Sequence, residues 1–398
     1  MKIVQINTTC GIGSTGKICV DISKLLTQKD IENYILFSSK TNGYDLGIRC
    51  SDRKYIRLQA AKSRLLGNYG FNSKKSTKRI ISELERIKPD VVHLHNIHGH
   101  DCHLEMLFRY FKESKTKLFW TFHDCWAFTG YCPHFTMMKC DKWKTSCAHC
   151  IQKREYTWLF DRSHTIFERK KALFSDLDLT IITPSRWLAD LVKQSFLKEY
   201  LVTVINNGID LSVFAPQASN FREKYQIPAD KKILLGVAFG WGERKGLDVF
   251  IELSRRLDPN RYQIVLVGTN EAVDQQLPPN IISVHRTQNQ RELAEIYSSA
   301  DLFVNPTREE NYPTVNMESI ACGTPVLTFR TGGSPEMLDD TCGSVVACGD
   351  VDALEHEILR ICADKPYAPE LCVKRSREFD LREKYREYLM LYECIGNT

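Results

Sequence analysis

Long apolar runs are scarce in this sequence. None reaches the roughly 18 consecutive residues of a membrane span. Polar Asn7, Thr8 and Thr9 interrupt the first apolar stretch before it becomes a secretory segment. Both absences lead to the expectation of a cytoplasmic protein. Internal repeats and low-complexity tracts are missing too. Net charge is only +5, too little to argue for nucleic acid as a partner. Disulfides are not expected, since the fifteen cysteines of a cytoplasmic chain are thiols or metal ligands. What the sequence does have is length: 398 residues exceed one ordinary core, so two domains are the default.

Short apolar runs alternate with helical patterns throughout. Strands are expected at residues 2–6, 33–38, 90–95, 117–122, 179–183 and 202–206, and a second series at 232–239, 262–267, 281–284, 301–304 and 325–328. Such alternation means parallel sheets covered by helices on both faces. The expected fold is α/β, with two doubly wound Rossmann-like domains. The break falls at the turn-rich segment 204–216. This gives an N-terminal domain at 1–205 with a Cys-rich insertion at about 125–160, a C-terminal domain at 206–375, and a last helical stretch, 376–398, packing back towards the first domain. Ligands of such sheets sit beyond the carboxyl ends of the strands, so a site is expected in a cleft between the domains.

The loop after the first strand reads C-G-I-G-S-T-G-K and carries two overlapping fingerprints. Gly11, Gly13 and Gly16 spell G-x-G-x-x-G, whereas Gly11 to Lys17 spell most of a phosphate-binding P-loop. The P-loop needs a Ser or Thr after its Lys to ligate Mg²⁺, and Ile18 stands there. The dinucleotide fingerprint wants an acidic residue at the end of the second strand, and Ser38, Ser39 and Lys40 stand there. The glycines still let backbone approach a ligand at a helix N-terminus, which favours an anion. A tight turn without a ligand is the alternative.

Three other strand ends carry chemistry. After 232–239 come Arg244 and Lys245, a planar fork and a point charge suited to a diphosphate, or else two solvated cations. After 301–304 comes N-P-T-R-E-E-N-Y-P-T-V-N-M-E-S-I-A-C-G-T-P-V. It places Glu310 in a loop and Glu318 inside the following helix, and each carboxylate suits paired sugar hydroxyls. T-G-G-S-P-E (331–336) then puts a glycine turn before another helix N-terminus. After 117–122 comes His123, able to bond a hydroxyl or assist proton transfer, followed by Asp124.

Glu310-x₇-Glu318 with its S-I-A-C-G-T-P-V tail, together with E-R-K-G, N-N-G-I-D and the first glycine loop, resembles the retaining glycosyltransferases of family 4, which have the GT-B fold. H-D-C-W-A-F-T-G-Y-C with its later cysteines resembles the bacterial branch that builds exopolysaccharide, colanic-acid-type capsule and O-antigen. The resemblance implies that a hexosyl group moves from a UDP- or GDP-sugar to a saccharide acceptor, lipid-linked at the inner leaflet, with retention at the anomeric carbon. It implies that Arg244 and Lys245 hold the diphosphate, Glu318 the ribose and Glu310, with Asn311 and Tyr312 beside it, the sugar. Backbone at Gly332 and Gly333 would approach the donor, His123 would meet the sugar, and the loop of Gly11, Gly13 and Gly16 would close over it. Many relatives carry the phosphate Arg five residues before the Lys, where this sequence has Gly240. No cofactor is expected for catalysis. Two rivals remain: an epimerase of the same fold, needing no acceptor, and a non-catalytic sugar-nucleotide-binding subunit.

Two features lie outside that set. Eleven Lys and Arg fall between Arg53 and Lys88 against two Glu. They are either a solvated helix face or a contact for an anionic membrane surface or a diphosphate, which makes the protein peripheral to the inner face of the membrane. Cys132, Cys140, Cys147 and Cys150 fall in an irregular stretch, the last two as C-x-x-C, a spacing that grips zinc. A structural zinc is one reading, with His134 or His149 as substitute ligands, and free thiols are the other.

Overall fold

A computed structural model of the chain describes residues 1–396. It divides into two compact units: residues 1–205 with the chain from Tyr385 onward, and Asn206–Lys384.

The first unit is built on a seven-stranded sheet, and every pairing between its strands is parallel. In chain order its elements are β1 (Lys2–Asn7), α1 (Gly13–Gln28), β2 (Glu32–Phe37), β3 (Gly47–Arg49), α2 (Arg53–Leu66), α3 (Lys74–Ile87), β4 (Val91–Leu94), α4 (Leu104–Ser114) and β5 (Lys117–Thr121). There follow the single turn α5 (Lys153–Tyr156), α6 (Ser163–Leu173), β6 (Leu179–Thr183), α7 (Arg186–Val192) and β7 (Leu201–Val204). The spatial order β3-β2-β1-β4-β5-β6-β7 reverses direction between β1 and β4. Both faces are covered by helices, so the middle strands β4 and β6 are buried along their whole length.

The second unit repeats the plan with six strands. Its elements are α8 (Phe221–Lys224), β8 (Lys232–Val237), α9 (Leu247–Arg256), β9 (Tyr262–Val267), α10 (Glu271–Asp274), β10 (Ile281–Val284), α11 (Gln290–Ser299), β11 (Leu302–Asn305), α12 (Thr314–Ala321), β12 (Val326–Phe329), β13 (Gly343–Val346), α13 (Val351–Asp364) and α14 (Pro369–Ser376). Its order is β10-β9-β8-β11-β12-β13, again all parallel, and the direction reverses between β8 and β11.

The periodicity did not reveal β3 or β13. Both are short edge strands, Gly-Ile-Arg and Gly-Ser-Val-Val, with too few side chains to show a pattern. The last helical stretch is also broken: α14 ends in a 3₁₀ turn, Arg377–Phe379, before α15 (Leu381–Gly396).

Within the first unit, α15 is fastened to the sheet through polar groups. Tyr392 Oη lies 2.5 Å from His93 Nδ1, while the other ring nitrogen of His93 meets Thr121 Oγ1 at 2.8 Å. Tyr388 Oη reaches the same Thr121 hydroxyl at 3.4 Å. All four side chains are buried, so each lost bond leaves a polar atom without water to replace it. Tyr392→Phe is therefore expected to destabilise the first unit by about 1–3 kcal/mol, read by urea unfolding. Tyr388→Phe, which removes a longer bond, is expected to cost less. Equal, negligible effects of both would show that α15 is held by apolar packing alone.

Candidate active site

Crossover connections return each chain segment to the same edge of the sheet, and where the order reverses the loops after the two neighbouring strands flank a crevice. In the second unit those loops follow β8 and β11. The first carries a 3₁₀ turn, Glu243–Lys245, ending at Gly246 with φ +75°. A Cβ at Gly246 would stand 2.5 Å from the Pro306 carbonyl, so only glycine lets the two loops touch there. The loops then interlock. Arg308 N–H donates to the Arg244 carbonyl at 2.8 Å, and Arg308 grips Asp248 with both arms of its guanidinium, at 2.8 and 2.6 Å.

The interlocking brings Lys245 Nζ onto Glu310 Oε2. Both side chains are about four-fifths buried. Burial alone would raise the Glu310 pKa, but the Lys245 charge and hydrogen bond, the Asn311 N–H and the Arg244 charge together hold it below the usual value. The site thus holds an ionised carboxylate against the Lys245 side chain, both sheltered from water. Arg244 stays in the neighbourhood, its guanidinium 3.4 Å from the Glu309 carbonyl.

Gly332 adopts φ +54°, and a Cβ there would meet the Glu310 carbonyl at 1.8 Å. Gly333 N–H donates to the Asn311 carbonyl at 2.7 Å. The glycine turn is therefore packed directly against the Glu310 loop. It does not lead into an α-helix, as the sequence suggested, but into a single 3₁₀ turn, Ser334–Met337, so the argument from a helix N-terminus lapses there. In its place the turn offers hydroxyls. Thr331 Oγ1 and Ser334 Oγ are buried with no hydrogen-bond partner, and so is Asn316 Nδ2 in α12. Native cores pair such atoms, and two of them on this turn with a third on α12 fit a polar ligand. Glu318 lies in the second turn of α12 and accepts a hydrogen bond from Tyr297 Oη at 3.2 Å. Asn311 and Tyr312 are buried, and Tyr312 packs into the apolar core of this unit. Sequence reasoning passed over Phe239, which follows β8 with its ring fully exposed beside Gly240.

In the first unit the reversal lies between β1 and β4. The loop after β1 holds Gly11 and Gly13 at φ +70° and +72°, and Gly11 N–H bonds to the Gly16 carbonyl at 2.9 Å. α1 starts at Gly13 with no side-chain cap, which leaves its first N–H groups available to an anion.

After β5, His123 joins a chain of rings that the sequence displays as H-L-H-N-I-H-G-H (93–100) without explaining it. Gln5 Nε2 donates to the Cys19 carbonyl at 3.0 Å, which turns Gln5 Oε1 towards His95 Nε2 at 3.1 Å. His95 Nε2 therefore carries the proton, and its Nδ1 accepts from His123 Nε2 at 3.1 Å. That assigns the lone pair of His123 to Nδ1. Burial, with the neighbouring His98, lowers the His123 pKa to about 4 despite the opposing charge of Asp124. His98 Nε2 pairs with Asp124 Oδ2 at 2.9 Å.

The Cys-rich insertion is organised by a buried lysine. Lys170 Nζ donates to the carbonyls of Trp126 and Thr129 at 2.8 and 3.1 Å and sits 3.5 Å above the Trp126 ring. Burial lowers its pKa well below normal, against the opposing influence of Cys147, Cys132 and Asp124. The four cysteines share this neighbourhood: burial, followed by Cys150, Cys147 and Cys140, raises the Cys132 pKa. Gly130 N–H donates to Cys147 Sγ at 3.3 Å. Among the described residues, no group of three or more His, Cys, Asp or Glu is placed to hold a metal ion. The sequence also contains two Asp-x-Asp triplets, a spacing that can bind a divalent ion. Here Asp178 pairs with Lys117 at 2.5 Å, Asp350 caps α13, and Asp352 pairs with Arg256 at 2.5 Å.

Two parallel-sheet Rossmann-like units are the architecture of the GT-B fold. The description "Glycosyltransferase Family 4" matches residues 16–213 and "Glycosyl transferases group 1" matches residues 231–364, and the chain belongs to this family. It is 24% identical, over 91% of its length and 89% of the relative's, to the putative colanic acid biosynthesis glycosyl transferase WcaC of Escherichia coli (strain K12). It is 29% identical over 37% of its length to a D-inositol 3-phosphate glycosyltransferase of Streptosporangium roseum, covering 38% of that protein. Among solved structures, Anabaena Alr3699/HepE in complex with UDP and glucose superposes with a TM-score of 0.72 at 14% identity, covering 99% of this chain and all of that one. Sucrose-phosphate synthase from Thermosynechococcus elongatus superposes equally well, at 0.72 and 17% identity, covering 100% and 99%.

The buried imidazoles make a pH prediction. Burial first lowers the pKa of His93 to about 3 and of His100 and His123 to about 4, and it lowers His95 as well. An unfolded histidine titrates near 6.5. Between these values the unfolded chain binds protons that the folded chain refuses, so the first unit loses stability as pH falls from about 6.5 towards 4. Asp124, with its pKa lowered to about 2, contributes stability that is lost only below that window. Melting temperatures from pH 7.5 to 4.5 should fall steadily, and less steeply in a His100→Asn/His123→Asn double variant. A flat wild-type profile would overturn the neutral assignment.

Proposed function

We propose that this protein transfers a hexosyl group from a UDP- or GDP-sugar to a hydroxyl of a lipid-linked saccharide, with retention, in the assembly of a surface polysaccharide. The observation that carries this reading is the sheltered Lys245–Glu310 pair at the strand-order reversal of the second sheet, with Gly332 against the Glu310 carbonyl. Support for the pathway comes from the relative named for colanic acid biosynthesis.

Lys245 and Arg244 take the diphosphate, whose negative charge grows as the glycosidic bond breaks, and this is the main electrostatic contribution the site offers. Glu310 receives the sugar hydroxyls, with Asn311 and Tyr312 shaping its loop, and Glu318 the ribose. The backbone at Gly332 and Gly333 faces the donor, and Gly11, Gly13 and Gly16 form the loop closing over it. His123 Nδ1 accepts a hydrogen bond from a sugar hydroxyl. The acceptor oxygen bonds to the anomeric carbon on the face from which the diphosphate oxygen departs. Its proton passes to the departing phosphate.

In this reading Cys132, Cys140, Cys147 and Cys150, which are not gathered into a metal-holding group here, would hold a structural zinc that braces the insertion without taking part in chemistry. Zinc binds thiolates, so its arrival would release protons and draw the sulfurs together. Protein purified without chelator is expected to carry close to one zinc per chain. Four thiols titrating freely in the native state would reject the site.

The activity test uses purified protein with a panel of UDP- and GDP-sugars and saccharide acceptors. Lys245→Ala and Glu310→Ala should each lower turnover at least about a hundredfold in protein that still melts cooperatively, at a reduced temperature because each variant leaves the other charge of the buried pair unpaired. Conversion of donor without acceptor would favour an epimerase, and donor binding without product would favour a non-catalytic subunit. A double variant with wild-type turnover would sink the assignment.

A further inference from the structure

α2 is turned inside out. Its two buried residues are polar, Gln59 and Ser63, whereas Leu58 and Leu65 are 64% and 46% exposed. The two leucines are seven residues apart and lie on one face. Around them Arg53, Lys54, Arg57, Lys62 and Arg64 are exposed, and the helix contains no acidic residue. The polar inner face has a structural reason. α2 roofs a pocket of about 730 Å³ that Gln59 and Lys62 line together with Lys74, Arg109 and Arg169, and Ser63 Oγ accepts from Asn72 Nδ2 at 2.9 Å. In that pocket Glu105 is shared between Arg169 and Arg109, at 2.7 and 3.3 Å, which leaves a cationic surplus.

A second apolar feature is fastened to the same helix. Trp158, Leu159 and Phe160 are consecutive and 57%, 54% and 52% exposed. Their loop is clamped in place. Trp158 N–H and Thr157 Oγ1 both donate to the Arg64 carbonyl, at 2.8 and 3.0 Å, and Arg162 bonds to Asn68 Oδ1 at 3.0 Å. A Cβ at Gly67 would come 2.7 Å from the Phe160 carbonyl, so the last turn of α2 and the loop abut. Of the acidic residues beside the loop, Asp161 is occupied by the N–H groups of Cys150 and Ser163, and Glu155 is exposed. Single exposed apolar residues are ordinary in folded proteins. Three in a row, pinned beside an outward-facing leucine stripe and ringed by cations, have the composition of a surface that enters a lipid interface.

We propose that the outer face of α2 and the loop Trp158–Leu159–Phe160 form a membrane-docking surface for an anionic bilayer. The apolar side chains enter the headgroup boundary, and the α2 cations lie against lipid phosphates. This rests on the reading that the acceptor is lipid-linked, and it names the residues that would bring the enzyme to it. Attraction to anionic lipid is screened by salt, so binding must be reversible and salt-sensitive.

The test is co-sedimentation of the full-length protein with vesicles of phosphatidylcholine alone or phosphatidylcholine mixed with phosphatidylglycerol. Wild type should bind the anionic vesicles at low salt, release as salt rises, and bind neutral vesicles weakly. Trp158→Ser/Leu159→Ser/Phe160→Ser and, separately, Arg57→Glu/Lys62→Glu should each weaken binding at least about tenfold, with melting temperature and transfer to a soluble acceptor unchanged. Equal binding to both lipids, no binding at low salt, or wild-type binding by both folded variants would overturn the proposal. Failure of the wild-type protein to bind anionic vesicles, with intact transfer to a soluble acceptor, defeats this surface alone. Vesicle binding without transfer to any acceptor defeats the functional reading and leaves the surface standing.

Discussion

Lys245 and Glu310 are sixty-five residues apart in the chain, and they meet because β8 and β11 are hydrogen-bonded neighbours. That pairing, Leu234 with Leu302 and Leu235 with Phe303, sets the loops after the two strands side by side. Everything specific to the second unit depends on it: the glycine contact at Gly246, the Arg308–Asp248 clasp and the seat of Gly332 on the Glu310 carbonyl. A parallel sheet cannot form from adjacent hairpins, so each connection must cross a face of the sheet, most of them as helices. The crossings return every loop to one edge. A charged pair that would repay its burial poorly in isolation is here set by two loops fastened to each other through Arg308 and Gly246.

Much of this was legible in the residues because the physics involved is local. Strands buried on both faces read as continuous apolar runs, and eleven of the thirteen strands appeared that way. β3 and β13 did not, since an edge strand of three or four residues including glycine carries no pattern. The loop position of Glu310 and the helical position of Glu318 followed from the turn residues between them. What was illegible depends on distance through space. Nothing in the sequence says that Gln5 fixes the tautomer of His95, or that Lys170 holds the loop that begins the Cys-rich insertion. The four histidines of residues 93–100 are visible as a composition, but their roles follow from strand register, which places His93 towards α15 and His95 towards His123. The turn at 331–334 shows the limit from the other side. Its glycines were read as backbone approaching a bound donor, whereas the approach seen is that of Gly332 to the Glu310 carbonyl, and the helix expected after them is a single 3₁₀ turn.

The two units treat ionisable groups in opposite ways. In the second, the burial of Glu310 is outweighed by Lys245 and Arg244, and the carboxylate stays ionised. In the first, burial is not outweighed. His93, His95 and His123 are linked ring to ring, so a proton on one is opposed by its neighbours as well as by the loss of water. A neutral imidazole with an assigned tautomer is a directional hydrogen-bonding group, whereas an imidazolium is a diffuse positive charge. A neutral hydroxyl and a neutral ring exchange a single oriented bond, so His123 suits a sugar hydroxyl better than a phosphate. The charged pair of the second unit suits the phosphate for the complementary reason. The division of labour proposed for this protein follows from what each unit does with water: one removes it from rings that become neutral, and the other removes it from a carboxylate that stays ionised.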